Sequence, residues 1–526
     1  MSNFKPSRLT LVLLLALFFR LPGLFWGELY KNHFIVLEPD EYQHLDLTVA
    51  FLKKLDPSVF PDYNLNRYNA LGFGTQMGLL SYLPVKLLGA EFKTLLLMGR
   101  GLSIVYGILL VLLVYRATLF FTKQEKAALM AAGCMAVCDL AATYSHYAIP
   151  EMAYIFWVFF SLFAMTLLLG HQTPPDSSIF FLKNQHLKFW LFTILALGMT
   201  LAMKFDFIPC LVFAAWFALQ VWLKKWKPSA LLALGACSVI GVYFFFKAGI
   251  GFQTGWPTLL KIIRFLHEEN NHLIAKDNHL VYNPPLYLIG IAAGMGLPAC
   301  LLAIAGIKHL KNTWHDMEEN ARQMLVFASI LLALEFLLLW KLDAPFVRRC
   351  LIFMPPLAIL AGVGAHYIVL KNSRLWLIGG AVYTIALTAV SQWNFVHDTR
   401  YEAKEFLQKE NRGEKLFFID NYAYVNGMPP IASIDQADFI VIHETKFSRY
   451  WKSFATPFKI PLCCEEVYHC GGEQECQFYQ KLLSGESEFR QVKKIEPFDW
   501  APERLIFKHF FGTYETFLGD VLIFEK

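Results

Sequence analysis

Long hydrophobic runs separated by short polar stretches recur along most of the chain. A hydrocarbon core about 30 Å thick is crossed by roughly 20 apolar residues in a helix. On that rule the sequence predicts eleven membrane spans, near residues 9–27, 100–118, 128–145, 152–170, 188–203, 206–223, 229–248, 286–307, 323–340, 350–369 and 375–392. Segment 71–90 is also apolar but is interrupted by glycines and Pro84, so we predict a re-entrant or interfacial helix there. A twelfth span would follow if it crossed.

The composition also favours a polytopic membrane protein. Of 526 residues, 56% are hydrophobic and 17% are charged, whereas about 25% are charged in soluble globular proteins. The basic residues lie mostly at the ends of apolar runs, where they orient helices, so the net charge of +5 does not indicate nucleic-acid binding. The sequence contains no P-loop and no GxGxxG pattern after a strand. A donor used on the outer face would therefore have to arrive through the lipid.

Lysine and arginine predict the orientation of the spans. The first span follows Lys5 and Arg8 and lacks a small-residue cleavage site, which predicts a retained signal-anchor with the N-terminus inside. The short loops that then face the cytoplasm carry Lys123, Lys126, Lys183, Lys188, Lys224, Lys225, Lys227, Lys308, Lys311, Lys371 and Arg374. This agrees with the positive-inside rule. Eleven spans place the C-terminus outside, together with loops 28–99 and 249–285.

The C-terminal segment, residues 393–526, has a different pattern. Short runs rich in β-branched or aromatic residues lie at 416–419, 439–442 and 521–524, and residues 400–410 have helical spacing. We predict a mainly α-helical transmembrane domain over 1–392 and a small extracytoplasmic α/β domain over 393–526.

Four cysteines cluster in the C-terminal segment: Cys463, Cys464, Cys470 and Cys476. Clustered cysteines outside the membrane usually form disulfides. A zinc site is the alternative, although the spacing fits no familiar four-ligand pattern. The sequence does not determine which of them pair.

The strongest candidate chemistry lies in the polar stretch 39–44, which includes Asp40 and Glu41 and follows the first span. Charges close to hydrocarbon are costly unless they are paired, hydrated or used, so adjacent carboxylates there are a candidate functional site. Such a carboxylate could take a proton from an acceptor hydroxyl as a general base. The alternative is an ordinary solvated start of a loop.

The predicted topology brings further polar residues to the same outer side. They are His146, Tyr147 and Glu151 after the third span, Lys204 and Asp206 after the fifth, His267 in loop 249–285, and Lys341, Asp343, Arg348 and Arg349 after the ninth. Basic groups could bind a phosphate, and arginine offers two parallel donors for it. Alternatively, Lys204 and the two arginines are interfacial side chains that reach for water, and His146 hydrogen-bonds to Glu151.

Other polar residues have weaker patterns. His267 and His272 are spaced i and i+5, so they lack the HExxH geometry of a zinc hydrolase, and a polar loop is the alternative. Asp139 and Glu335 fall inside apolar runs, where they would cap a wet cavity or pair with an arginine.

The order of these motifs resembles the GT-C glycosyltransferases, in particular the protein O-mannosyltransferase and ArnT-like branch. The matching positions are Asp40–Glu41 after the first span, Arg100 with Ser103 and Gly107, the stretch 145–151 similar to "SHYARPD", Gly198 with Lys204, the stretch 347–350 before Pro355 and Pro356, and 397–400 with Ala403 similar to "DxRxxA". Glu151 stands where that branch usually has Asp.

This resemblance implies a GT-C-like helical bundle that transfers one hexose or pentose, with inversion, from a polyprenyl-phosphate carrier to a protein, lipid or glycan acceptor. Asp40 would be the base, and Glu41 and Glu151 would organise the acceptor. Lys204, Arg348, Arg349 and Arg100 would bind the donor phosphate, and His146, Tyr147, Asp206 and His267 would line the cavity. Relatives differ in metal dependence; a divalent cation, if one is used, would bind Asp40 and Glu151. The membrane would be a bacterial inner membrane or the endoplasmic reticulum, with the site on its outer or luminal side.

Two other classes compete with a transferase. A transporter would normally carry its coupling carboxylates near the bilayer midplane, often in repeated halves, whereas here most candidate groups lie at one outer level and no repeat is visible. A non-catalytic scaffold on the same fold should tolerate Asn in place of Asp40.

Overall fold

The computed structural model describes residues 7–26, 41, 44–45, 48–49, 52, 71–88, 92–170, 184–203, 207–223, 235, 283–340, 347–370, 374–410, 415–425, 428–429, 432–447, 472–511 and 518–526. The predicted span at 229–248, apart from one residue, and the loop 249–285, apart from its end, lie outside these ranges.

Helices occupy the described apolar runs that the sequence predicts as spans, and one helix occupies most of segment 71–90. They are α1 (Arg8–Phe18), α2 (Leu71–Leu88), α3 (Phe92–Thr122), α4 (Glu125–Ala136), α5 (Asp139–Tyr144), α6 (Glu151–Gly170), α7 (Asn184–Met203), α8 (Phe207–Trp222), α9 (Asn283–Met295), α10 (Leu297–Asn312), α11 (Glu319–Trp340), α12 (Met354–Leu370) and α13 (Arg374–Val396). Within the described ranges, six helical segments are long and apolar enough to cross a membrane, or seven if the bent pair α9–α10 is one span. The predicted count of eleven stays a prediction.

One predicted span, 128–145, is divided into two helices. Helix α4 ends at Ala136 and α5 begins at Asp139. The guanidinium group of Arg20, which is fully buried, donates to the carbonyl oxygen of Ala136 at 2.9 Å. This bond satisfies a carbonyl that the interrupted helix leaves without an intrahelical donor. After α5 the chain continues into the segment 145–150.

A second predicted span, 286–307, bends by 103° between α9 and α10. Gly296 lies at the bend with φ +84°, in the left-handed region that favours glycine. The carboxylate of Glu503 accepts a hydrogen bond from the Leu297 N–H at 3.3 Å, which satisfies a free donor in the first turn of α10.

We expect Gly296→Ala to lower the free energy of unfolding by about 1 kcal/mol, because a Cβ is strained at this φ. Thermal unfolding of the purified protein in detergent measures the change. Gly379→Ala is the matched control, because Gly379 lies inside α13 with no neighbouring atom within 4 Å of an added Cβ. That variant should be neutral or slightly more stable. Equal losses in the two variants would show that the φ value is not the cause.

The C-terminal segment contains a four-stranded sheet in the order β1-β2-β4-β3, formed by β1 (Phe417–Ile419), β2 (Phe439–His443), β3 (Arg490–Ile495) and β4 (Val521–Glu525). Strands β1 and β2 are parallel, and the other pairs are antiparallel. Its helices are α14 (Thr399–Glu410), α15 (Glu444–Phe447), α16 (Gly472–Ser484) and α17 (Pro502–Phe511). The predictions for β1, β2, β4 and α14 are confirmed, and β3 is an addition.

The two faces of the sheet pack against different partners. Val441 and Ile523 lie in the same hydrophobic cluster as Trp26 and Phe395, which belong to the helical part of the chain. On the opposite face, Ile442 packs with residues of α16 in a second cluster. One face of the sheet therefore packs against the helical part of the chain, and the other face packs against α16.

Of the four clustered cysteines, only Cys476 lies within the described ranges, and it is disulfide-bonded. The predicted disulfide chemistry is thus confirmed for Cys476.

Candidate functional site

The centre of the candidate site is a buried ion pair between Glu41 and Arg100. Arg100 Nε and Nη2 donate to Glu41 Oε1 and Oε2 at 2.9 and 2.8 Å, and both side chains are fully buried. Glu41 Oε1 also accepts the backbone N–H of Ala148 at 2.7 Å. Two parallel bonds of this kind fix the orientation of both groups. Glu41, the described member of the acidic pair, is thereby fixed to α3 and to the segment 145–150.

Trp26 connects this ion pair to the C-terminal segment. Its carbonyl oxygen accepts a hydrogen bond from Arg100 Nη1 at 2.5 Å, and its indole Nε1 donates to Asp398 Oδ2 at 2.8 Å. Asp398 in turn accepts bonds from Arg400 Nε and Nη2 at 2.7 and 2.6 Å. Trp26, Arg400 and Asp398 are all buried. Trp26 follows the 3₁₀ helix Pro22–Phe25, and the structure brings it together with the "DxRxxA"-like motif of Asp398 and Arg400.

The segment 145–150 packs against Trp26 and the end of α13. The ring of His146 lies edge-on against Phe395, with centroids 4.5 Å apart, and the ring of Tyr147 is 5.6 Å from Trp26. Burial, reinforced by Arg20 and Arg100, lowers the pKa of His146 to about 3. His146 is therefore neutral at physiological pH, and its environment is that of a packing residue.

Glu151 and Arg348, predicted as an acceptor-organising group and a phosphate ligand, lie together. Arg348 Nε is 4.0 Å from Glu151 Oε1. Glu151 begins α6, where a carboxylate is favoured by the helix dipole, and Arg348 lies in the 3₁₀ helix Val347–Phe353. The Arg348 side chain is 22% exposed, so its guanidinium can reach a ligand outside the protein core. Arg349 is half-buried beside it.

Four of the predicted site residues fall outside the described ranges: Asp40, Lys204, Asp206 and His267. Their predicted roles stay predictions. The described part of the chain contains no group of three or more His, Cys, Asp or Glu side chains that could hold a metal ion. Glu151, one of the two predicted metal ligands, faces the positive charge of Arg348, which does not favour a cation at that carboxylate.

The structure also contains a cavity beside Asp139. It measures about 80 Å³ and lies between α5, α9, α13 and α17, with Asp139 and Arg504 in its wall. Arg504 Nη1 is 4.0 Å from Asp139 Oδ2. The expectation that Asp139 caps a cavity or pairs with an arginine is met in both respects. The arginine comes from the far end of the chain, which explains why local sequence could not identify it.

Comparisons with known proteins give the fold a family context. The family described as dolichyl-phosphate-mannose-protein mannosyltransferase (PMT) matches residues 92–253. No curated protein sequence matches the chain closely enough to count as a relative.

Among solved structures, the oligosaccharyltransferase AglB from Archaeoglobus fulgidus aligns with a TM-score of 0.54 and 12% identity, covering 99% of this chain and 88% of that chain. ArnT from Cupriavidus metallidurans aligns with a TM-score of 0.47 and 15% identity, covering 76% of this chain and 72% of that chain. The fold assignment rests on AglB, because the ArnT score is too low to support an argument. With the apolar helices and the PMT match, the AglB likeness identifies an integral membrane protein with the GT-C glycosyltransferase fold, and the PMT match agrees with the resemblance to the O-mannosyltransferases that its motifs predict.

Proposed function

We propose that this protein is a membrane glycosyltransferase that moves a single sugar from a polyprenyl-phosphate carrier to an acceptor on the outer or luminal face, with inversion. The observation that carries the proposal is the Glu41 carboxylate, which is bonded both to Arg100 and to the Ala148 N–H. These bonds join Glu41 to the segment just before Glu151, and Glu151 lies beside the partly exposed Arg348. These contacts support a site in which carboxylates act beside an arginine that binds the donor phosphate.

The family match and the AglB likeness support a lipid-linked donor. The matched family is described by its use of dolichyl-phosphate mannose. The AglB structure contains a dolichol phosphate and an inhibitory peptide. For this chain we propose a hexose or pentose on a polyprenyl phosphate as donor and a protein, lipid or glycan as acceptor. Residues 1–392 would form the catalytic part, in a bacterial inner membrane or in the endoplasmic reticulum.

The proposed reaction is a direct displacement at the anomeric carbon. Asp40 takes the proton of the acceptor nucleophile, whose oxygen or nitrogen forms the new bond to that carbon. The bond from the anomeric carbon to the phosphate oxygen breaks, and its electron pair leaves with the polyprenyl phosphate. Lys204 and Arg348 stabilise the charge that develops on this leaving group. Attack from the face opposite the phosphate inverts the configuration.

For Arg100 we propose a role different from the predicted phosphate contact. Its guanidinium is fully buried and donates to Glu41 and to the carbonyl oxygens of Trp26 and Leu24. These contacts occupy its hydrogen-bonding directions within the protein. Arg100 therefore orients Glu41, and phosphate binding is left to Arg348 and Lys204.

The test is transfer of labelled sugar from a panel of polyprenyl-phosphate sugars in membranes that contain the protein, with membranes lacking it as control. We expect one donor to be consumed and the label to appear on an acceptor with inverted anomeric configuration. If no donor is consumed and the label instead crosses the membrane, the protein is a transporter. If neither occurs, the result favours a non-catalytic scaffold with the same fold.

Arg348→Gln should raise the KM for the donor about tenfold or more, because a charge-assisted contact to the phosphate is lost. Initial rates over a range of donor concentrations measure this change. Arg374→Gln is the matched control, since Arg374 is an exposed arginine at the start of α13. An unchanged KM in Arg348→Gln would exclude Arg348 as the phosphate ligand.

A further inference from the structure

We infer that Trp26 is a positioning residue for the proposed transfer site, through which the C-terminal segment sets the orientation of Arg100 and Glu41. The inference rests on the proposed function, because its readout is sugar transfer. It concerns a residue without ionisable chemistry that does not need to touch donor or acceptor.

Two guanidinium groups lie over the indole ring of Trp26. Arg100 Cζ is 5.8 Å from the ring and Arg400 Cζ is 5.3 Å from it. Trp26 is 2% exposed and both arginines are fully buried. Cation–π attraction is strongest with tryptophan and increases when the groups are desolvated. A single ring therefore holds together two cations that would otherwise repel each other.

Each of the two cations has its own carboxylate. Arg100 is paired with Glu41, and Arg400 with Asp398, in each case through two side-chain bonds. Trp26 joins the two pairs by hydrogen bonds as well, since its Nε1 donates to Asp398 and its carbonyl oxygen accepts from Arg100. The order of contacts from the C-terminal segment to the site is thus Arg400, Asp398, Trp26, Arg100, Glu41.

Asp398 is a rigid support for this chain of contacts. Its Oδ1 also accepts the backbone N–H of Arg400 at 3.0 Å, and the neighbouring Thr399 donates to the carbonyl oxygen of Gly519 at 2.7 Å, just before β4. The position of Trp26 is therefore fixed by the sheet of the C-terminal segment. Because small misplacements of reacting groups have large effects on rate, loosening Trp26 should slow transfer without changing donor binding.

Trp26→Phe tests the inference, because it keeps an aromatic ring next to the two guanidinium groups but removes the N–H that donates to Asp398. We expect kcat to fall about tenfold or more, with the KM for the donor within about twofold of wild type, since Arg348 is untouched. Steady-state transfer at varied donor concentration, normalised to folded protein, separates the two constants.

Tyr383→Phe is the matched control. The Tyr383 hydroxyl donates to Glu503 Oε2 at 2.6 Å, so this variant also removes one hydrogen bond from an aromatic residue of the helical part to a carboxylate of the C-terminal segment. Glu503 has no recorded contact with Glu41 or Arg100 among the described residues. A merely structural role for Trp26 predicts the same kcat per folded molecule in both variants. A positioning role predicts a loss in Trp26→Phe alone.

Arg400→Lys provides a second variant in case Trp26→Phe does not fold. It keeps the charge but removes the two parallel side-chain bonds to Asp398, and it should lower kcat in the same way. Normal kcat in either folded variant, with an active wild type, would overturn this inference alone. A wild type that transfers sugar from none of the donors would overturn the proposed function, and the inference with it.

Discussion

Arg100→Met is expected to lower the free energy of unfolding by about 3–5 kcal/mol, because it leaves the Glu41 carboxylate buried without its counter-charge. The pair is fully buried and joined by two hydrogen bonds. Methionine has a similar length and is apolar, so lost volume contributes little to the change. Thermal or chemical unfolding in detergent measures the loss, and transfer activity per folded molecule should also fall.

The matched control is Arg116→Met in the same helix α3. Arg116 is exposed, so its replacement should change the free energy of unfolding by less than about 0.5 kcal/mol. The double variant Glu41→Leu/Arg100→Met removes both charges and should recover much of the lost stability, although the Ala148 N–H then lacks its acceptor. Recovered stability without recovered transfer would separate the folding role of the pair from its role at the site. Unchanged stability in Arg100→Met would show that Glu41 does not depend on Arg100.

The sequence predicted helices that depend on local composition. It did not predict breaks within a span that depend on residues far away in the sequence. The run at 152–170 corresponds to α6 (Glu151–Gly170) because its apolar length alone favours a helix. The division of 128–145 falls just before Asp139, and one acidic residue in an apolar run does not by itself predict a break. The division depends on Arg20, whose bond to Ala136 spans 116 positions in the chain.

Strand β3 shows the same limit in the C-terminal segment. Its sequence, Arg490–Ile495, is largely polar and exposed, so it lacks the apolar pattern by which the other three strands were predicted. Pairing with β4 supplies its backbone hydrogen bonds. Lysines on such an edge strand also discourage pairing with other chains. Neither property depends on a hydrophobic run.

The sequence indicated which charged residues belong to the candidate site, but not which of them contact each other. Glu41, Arg100, Glu151 and Arg348 all stood out as charges beside apolar spans, because such charges are costly unless they are used or paired. Their partners follow only from the fold. Trp26 carried no signal of its own, since a tryptophan at the end of an apolar run is usually an interfacial residue, and its contact with Asp398 spans 372 positions in the chain.

Asp40→Asn is expected to slow sugar transfer by at least about a hundredfold, because the acceptor would lose the base that takes its proton. Asn has nearly the same shape, so the KM for the donor should stay within about twofold of wild type. The neighbouring Glu41 is hydrogen-bonded to Arg100 and to the Ala148 N–H. The Asp40→Asn substitution removes neither of these bonds. Transfer from the donor identified in the panel, with expression matched, measures the effect.

Asp46→Asn is the control for Asp40→Asn, because it removes a carboxylate from the same stretch of sequence without touching the predicted base. It should retain most of the wild-type rate. If Asp40→Asn is as active as wild type, another group takes the proton, and Glu151 becomes the next candidate because it lies beside Arg348. If both variants lose activity equally, the loss reflects the folding of this stretch and not a base. Only a selective loss in Asp40→Asn fits general-base catalysis at the position adjoining the buried Glu41–Arg100 pair.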